Sequence, residues 1–109
     1  MSALPRYFAA LSDPTRFAVI SALIAEGELP AGNLAARTRA SGPAMSRHLR
    51  VLREAGLVTQ RVAGKHRIYR AAPEPIREMA GWIMSRREFW EASLKRLEAA
   101  VMARKGGCE

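Results

Sequence analysis

The hydrophobic period of the chain changes near residue 57 from helical to strand-like, and this change constrains the fold more than any other feature. Before it, apolar residues recur every three or four positions in short segments, which is typical of amphipathic helices. After it, LVTQRVA (57–63) and HRIYRAA (66–72) are short, rich in β-branched and aromatic residues, and separated only by Gly64 and Lys65, which predicts a β-hairpin. A helical period returns at about residue 76. The chain is therefore predicted to be mainly α with one small hairpin.

Four short helices are predicted ahead of the hairpin, over residues 4–11, 14–26, 30–39 and 42–55. Asp13 suits the N-cap of the second helix, Pro14 its first position, and Gly27 the position after its end. The buried stripe of the fourth helix is expected to consist of Met45, Leu49 and Leu52. In the hairpin, the side chains expected to face the core are Val58, Val62 and Ile68, with Tyr69 as a further candidate.

The formal net charge of +8 arises entirely from residues 34–72. This segment carries nine cations and one anion, Glu54, whereas the rest of the chain carries nine of each. Cations clustered in this way are the electrostatic footprint of a nucleic-acid contact. A protein whose charge served only solubility would spread its cations more evenly. The segment is therefore expected to face a polyanion.

Two short helices joined by a three-residue turn and followed by a basic hairpin predict a winged helix-turn-helix. In this arrangement the second helix of the pair enters the major groove of DNA with its N-terminal half against the base edges. Here Pro43 and Ala44 are small enough for close approach, and Arg47 can fork onto guanine or a phosphate. The hairpin would be the wing, and its side chains expected to reach the backbone or a narrow minor groove are Arg61, Lys65, His66 and Arg67.

Several strings together resemble the ArsR/SmtB family of bacterial repressors: DPTR (13–16), SGPAMSRHL (41–49) and LREAGLV (52–58). The resemblance covers residues 8 to about 70, and WIMSRREFWEASLKRLEAA (82–100) is similar to the Trp-rich last helix of some members. It implies a dimeric winged helix that represses transcription from palindromic operators. The contacts it implies are base reading by Pro43, Ser46 and Arg47 and backbone contacts by Ser41 and Arg50. Gly42 stands where the family commonly has Gln, so one bidentate partner for adenine is absent.

A homodimer is also predicted from the last helical segment, about 76–103. Its apolar stripe would be ~39 Å long at 1.5 Å per residue, which is more than a domain of this size can cover by itself. A two-fold partner that buries the same face solves this. The interface is expected to combine the N-terminal and C-terminal helices through Leu4, Tyr7, Phe8, Ile83, Trp90, Leu94, Leu97 and Val101. A small-molecule pocket lined by Trp82, Phe89 and Trp90 is the alternative use of the aromatic residues.

Neither a metal nor another cofactor is predicted. Metal-responsive relatives carry a Cys-x-Cys type motif on the third helix, where this chain has ELPAGNL (28–34), and residues 74–103 contain neither Asp nor His. Of the two histidines, His48 falls in the fourth helix, the recognition helix that is predicted to enter the major groove, and His66 falls in the wing. His48 is expected to pack at the helix–helix junction, with base contact as the alternative. The single cysteine, Cys108, is expected to be an inert thiol, with a redox switch or a disulfide across a dimer as alternatives.

The chain of 109 residues suits a single domain, 1–109. No apolar run reaches the ~18–20 residues that span a bilayer, and no signal-peptide core opens the sequence, so a cytoplasmic, nucleoid-associated protein without a membrane partner is expected. No carboxylate pair, catalytic triad or phosphate-cradling glycine loop appears, which argues against an enzyme. Two functions remain: a sequence-specific regulator, with an inducer that the sequence does not identify, or an architectural or RNA-binding protein without sequence preference.

Overall fold

The computed structural model describes residues 2–107, with side chains through residue 104, and in this range it has six helices and a three-stranded antiparallel sheet. Cys108 lies outside the described residues. The chain divides into two compact units, one up to Met79 and one from Ala80 onward. Among the described residues no single helix is long and apolar enough to cross a membrane; the first two pass that test only as a pair bent by 104°. The elements are α1 (Leu4–Ala10), α2 (Pro14–Glu26), β1 (Leu29–Pro30), α3 (Ala31–Thr38), α4 (Gly42–Glu54), β2 (Val58–Ala63), β3 (His66–Ala71), α5 (Pro73–Ser85) and α6 (Arg87–Gly107).

The predicted boundaries of α2 are confirmed. The Asp13 carboxylate accepts a hydrogen bond from the Arg16 backbone N–H at 3.0 Å, and Pro14 occupies the first turn, where its missing N–H has no partner to lose. Gly27 follows the last turn with φ of +87°, a conformation that favours glycine, and its N–H donates to the Leu23 carbonyl. Both ends of α2 are therefore specified by local sequence.

The core of the first unit lies between the helices and one face of the sheet. The predicted stripe of α4 is confirmed, since Met45, Leu49 and Leu52 are each at most 2% exposed. These side chains pack in one cluster with buried residues of the other elements, among them Val19, Leu23, Leu34, Leu57, Val58 and Tyr69. Burying three large side chains on one side of α4 fixes the rotation of this helix about its axis.

The third strand, β1, was not predicted. It pairs with β3, which lies between β1 and β2, in the register Leu29 with Tyr69 and Pro30 with Ile68. A strand of two residues has no period, and proline is tolerated in it because β1 is an edge strand that needs no N–H on its outer side. The hairpin of the sequence prediction is therefore the larger part of a three-stranded sheet.

One predicted core residue of the hairpin is wrong. Val58 and Tyr69 are buried and Ile68 is half-buried, but Val62 is 72% exposed. Val62 shares a strand face with Val58, yet it lies near the hairpin tip, beyond the helices that cover the base of the sheet. Alternation along a strand indicates which face a side chain occupies and not how far the core extends.

The predicted last helix, about 76–103, is in fact two helices, α5 and α6, with a break at Arg86. The Ser85 hydroxyl donates to the Trp82 carbonyl at 2.9 Å, and the Arg86 N–H bonds the Ile83 carbonyl instead of the Trp82 carbonyl one turn back. A serine side chain that bonds a backbone carbonyl in the preceding turn slightly destabilises a helix and often bends it. The apolar period continues across the break, so the sequence pattern did not reveal it.

Asp13 provides a test of how α2 begins. The backbone N–H of Arg16 is the main cause that lowers the pKa of Asp13 below its ordinary value of 3.8, and His48 contributes further attraction. A carboxyl with a lowered pKa in the folded state stabilises the fold above its unfolded pKa and loses this effect as pH falls through the folded pKa. We expect Asp13→Ala to unfold at a lower temperature than the wild type near neutral pH, and the gap to narrow as pH falls below 3.8.

Asp13→Asn is the matched control because asparagine retains a capping acceptor and removes only the charge. Asp13→Asn should therefore lower the unfolding temperature less than Asp13→Ala does. Thermal melts followed by circular dichroism over this pH range measure the differences. A gap between wild type and Asp13→Ala that stays constant into acid would contradict the assignment.

Candidate nucleic-acid interface

The turn between α3 and α4 consists of three residues, as predicted, and sets the direction in which α4 begins. Arg39 ends α3 in the left-handed conformation, with φ of +57°, and the Ala40 N–H returns to the Ala35 carbonyl at 3.1 Å. Ser41 then caps α4, its hydroxyl oxygen accepting from the Ala44 N–H at 3.2 Å. Ser41, predicted as a backbone contact, therefore has a structural role and keeps its O–H as a donor toward solvent.

The side of α4 away from its buried stripe presents the predicted base-reading residues and one predicted backbone contact, Arg50. Pro43, Ser46, Arg47 and Arg50 are all exposed. The first turn of α4 has no acidic residue, so its free N–H groups and positive dipole end are not neutralised there. The structure therefore brings these four residues together on one outward surface.

His48 lies on another side of α4, at the junction with α1 and α2. Its Nδ1 is 3.4 Å from an Arg16 guanidinium nitrogen and 3.8 Å from the Asp13 carboxylate, and Arg16 Nε donates to the Ala10 carbonyl at 2.6 Å. His48 thus holds α4 against its neighbours, which confirms the predicted junction.

The wing has two faces with different partners. The hairpin turns at Gly64, whose φ of +62° suits the first loop position of a type II′ turn, and Lys65 is exposed beside it. Cross-strand partners share a face, so the pairing of Val62 with Arg67 places both on the face of Tyr69. Arg67 and Tyr69 line a cavity together with residues of α4. This face is the one that adjoins the recognition helix.

The opposite face of the wing carries Arg61 and His66, which were predicted together with Lys65 and Arg67. Arg61 Nε donates to the Glu28 carboxylate at 2.6 Å. This hydrogen bond is the main cause that lowers the pKa of Glu28 and raises the pKa of Arg61. His66 is exposed and pairs across the strand with Ala63. The structure does not bring these two residues to the α4 side.

The cavity between α4 and β3, here called the arginine cleft, has a volume of about 370 Å³. Its lining residues are Ala31, Ser46, Leu49, Arg50, Arg53, Arg67 and Tyr69. Arg53 is the one cation among them that the sequence prediction did not nominate. The signal was present, because Ser46, Arg50 and Arg53 are spaced i, i+4 and i+7 and so lie on one flank of α4.

The residues predicted for a dimer interface differ in exposure. In α1, Tyr7 is 8% exposed and belongs to the core of its own chain, Leu4 is half-buried, and Phe8 is 37% exposed. In the second unit the predicted residues are 41–61% exposed; they are Ile83, Trp90, Leu94, Leu97 and Val101.

The aromatic residues of the second unit form a cluster. The rings of Trp82 and Trp90 meet edge-on with centroids 6.2 Å apart, and those of Phe89 and Trp90 with centroids 5.2 Å apart. No group of three or more His, Cys, Asp or Glu residues that could hold a metal ion occurs in the part of the chain that the structure describes.

Comparisons with known proteins agree with this geometry. A helix-turn-helix domain matches residues 11–61. The chain is 46% identical over 68 residues to the HTH-type transcriptional regulator Rv2034 of Mycobacterium tuberculosis. This match covers 62% of the chain and 63% of Rv2034, so the chain spans less than two thirds of that relative. It is 36% identical over 94 residues to the arsenical resistance operon repressor of Escherichia coli, covering 86% of this chain and 78% of the repressor.

Solved structures show the same similarity. One is an ArsR family transcriptional regulator, with a TM-score of 0.72, 29% identity, and coverage of 83% of this chain and 98% of that one. Another is a possible transcriptional regulator for arsenical resistance, with a TM-score of 0.69 and 42% identity. The match covers 84% of this chain and 91% of that one.

The two faces of the wing can be distinguished by matched arginine substitutions. Arg61→Ala and Arg67→Ala remove the same charge, but only Arg67 adjoins α4. We expect Arg67→Ala to weaken binding to duplex DNA and to reduce the slope of log K against log[salt] by about 1. Arg61→Ala should change the slope less. Fluorescence anisotropy over a salt series measures the affinity and the salt slope of each variant. Equal losses of affinity and slope in the two variants would show that net charge alone governs binding.

Proposed function

Because the chain belongs to the ArsR/SmtB family of helix-turn-helix transcriptional regulators, we propose that it binds a palindromic operator as a homodimer and represses transcription from it, its own promoter included. The exposed side of α4 carries the proposal: Ser46, Arg47 and Arg50 stand outward on a helix whose other side is held in the core. Side chains of these types can read base edges and phosphates in the major groove. The protein would act in the cytoplasm, and the proposal assigns it no enzymatic activity.

The division of labour on DNA follows the geometry. Pro43, Ser46 and Arg47 would meet base edges, and Ser41 and Arg50 would meet the backbone. Lys65 and Arg67 of the wing would reach the adjoining backbone or minor groove, with Arg61 and His66 further from the recognition helix. Since Gly42 has no side chain to read adenine, part of the specificity would come from the shape and deformability of the DNA.

A second copy is the proposed occupant of the exposed face of α6. Trp90, Leu94, Leu97 and Val101 follow a 4-3-4 spacing and are 41–61% exposed. Apolar side chains in such a stripe are stabilised when an identical face covers them. A dimer would place two recognition helices about one DNA turn apart, roughly 34 Å, and so require a palindrome.

Regulation by a metal is not proposed. The start of α3, where metal-responsive relatives carry thiolate ligands, has Pro30, Ala31 and Gly32, none of which can ligate a metal through its side chain. Residues 74–103 contain neither His nor Asp.

The proposed function is tested by competition binding. A duplex containing an inverted repeat from the DNA upstream of the coding gene should be bound 10³-fold or more tightly than a scrambled duplex, as is typical of specific regulators (roughly 10³–10⁷). Equal affinity for both duplexes would favour an architectural protein, and preference for RNA would favour an RNA-binding protein.

Arg47 tests the assignment of the recognition helix. We expect Arg47→Ala to weaken operator binding by ~1–3 kcal/mol and to reduce the preference for operator over scrambled DNA, because a bidentate base contact is lost. Arg96→Ala is the matched control, since Arg96 lies on α6 and donates to Ser93. Operator preference that survives in Arg47→Ala would show that another element reads the bases.

The dimer is tested by charge insertion on α6. Light scattering coupled to size exclusion should give twice the chain mass for the wild type, and Leu94→Glu/Leu97→Glu should give a monomer because two carboxylates would be buried unpaired. Lys95→Glu, at an exposed neighbouring position, should remain dimeric. A monomeric wild type at micromolar concentration would refute the proposed dimer.

A further inference from the structure

The arginine cleft combines a hydrophobic floor with a cationic rim. Leu49 and Tyr69 at its floor are 2% and 5% exposed, whereas Arg50, Arg53 and Arg67 around it are exposed. No acidic side chain lines the cleft. Three like charges around one cavity repel one another, so the cleft attracts an anion that the protein itself does not supply.

Several other arginines of the chain pair with acidic side chains. Arg37 pairs with Glu26 through both guanidinium nitrogens, and Arg61 pairs with Glu28. Within the described residues, the guanidinium groups at the cleft make no hydrogen bond or ion pair; they belong to Arg50, Arg53 and Arg67. Glu54, the only acid in residues 34–72, lies instead beside a different surface depression with Arg6 and Arg16.

The position of the cleft on α4 indicates what kind of anion it meets. A helix with side chains is about 10–12 Å across, and the major groove is about 12 Å wide. An inserted helix therefore presents its outermost side to the base edges and its flanks to the two sugar–phosphate walls. Ser46, Arg50 and Arg53 lie on the flank that faces the wing, and Arg67 closes the cleft from the wing side.

We infer that the arginine cleft is a phosphate site that holds one backbone phosphate of the DNA at the place where recognition helix and wing meet. This inference rests on the proposed function. Arg50, Arg53 and Arg67 donate to the phosphate oxygens, for which the planar guanidinium fork is well suited. Arg53 thereby becomes a DNA-contacting residue, and the phosphate fixes the register of α4 in the groove without reading sequence.

The test compares wild type, Arg53→Gln and the control Arg96→Gln on the full-length protein. Arg53→Gln should bind operator and scrambled duplexes about tenfold more weakly, because a charge-assisted contact is lost on both. The slope of log K against log[salt] should fall by about 0.9, the value for one phosphate contact. Arg96→Gln should change neither. An unchanged slope in Arg53→Gln would overturn the inference, and thermal melts confirm that each variant is folded.

Neutral methylphosphonate linkages introduced one at a time locate the phosphate. At one position per half-site the substitution should weaken the wild type by about tenfold or more and weaken Arg53→Gln by a smaller factor, because one of the three arginine contacts is already absent in that variant. If the two proteins give the same profile along the duplex, the backbone assignment is wrong.

A free anion is the other source of the same chemistry. Inorganic phosphate is titrated into the wild type and into Arg53→Gln without DNA, at constant ionic strength. We expect no saturable phosphate binding that is present in the wild type and lost in Arg53→Gln. Such binding, combined with identical methylphosphonate profiles, would identify a site for a free phosphate and overturn the DNA assignment. A wild type that does not distinguish operator from scrambled DNA would instead refute the proposed regulator, whatever Arg53→Gln does to the salt slope.

Discussion

The burial of Met45, Leu49 and Leu52 along one side of α4 is the constraint on which the whole interface depends. Successive residues of a helix are about 100° apart, so the identity of the buried side determines what every other side presents. With this stripe in the core, Arg47 is on the outward side and Arg53 on the flank beside the wing. A rotation of α4 by one residue would place Ser46, Arg50 and Arg53 in the core, and burying two unpaired guanidinium groups costs more than the apolar packing contributes.

Acidic residues sort the cations of the basic segment into two groups. Glu26 and Glu28, both outside the segment, pair with Arg37 and Arg61, which lie on α3 and the far face of the wing. These exposed pairs add little to stability, but they remove charge from places away from the recognition helix. Of the cations in this segment that pair with no other described residue, four lie on α4 and on the adjoining face of β3; they are Arg47, Arg50, Arg53 and Arg67. The positions of the acidic residues therefore determine where the positive electrostatic potential is strongest as much as the positions of the basic residues do.

Local patterns predicted the elements that have a clear period or cap. Asp13 and Gly27 bound α2, and the stripe of α4 is buried as expected. The pattern did not reveal two features: the break at Arg86 lies in a segment whose apolar period continues, and β1 is too short to show a period. For the candidate site, sequence identified the helix and the hairpin. The sequence could not show which face of the wing adjoins α4. That depends on the strand register and on the contact between Glu28 and Arg61, both of which form only in the folded protein.

The short strand β1 has a consequence for how copies of this chain can associate. Its second residue is Pro30, which has no N–H and therefore cannot continue a hydrogen-bonding ladder along that edge. The other edge, β2, carries the bulky charged side chain of Arg61 in its middle. Strand addition, the commonest route by which exposed edges recruit further chains into aggregates, is thus disfavoured at both borders of the sheet. The wing can then project from the protein at high local concentration, because polymerisation through the sheet edges is disfavoured.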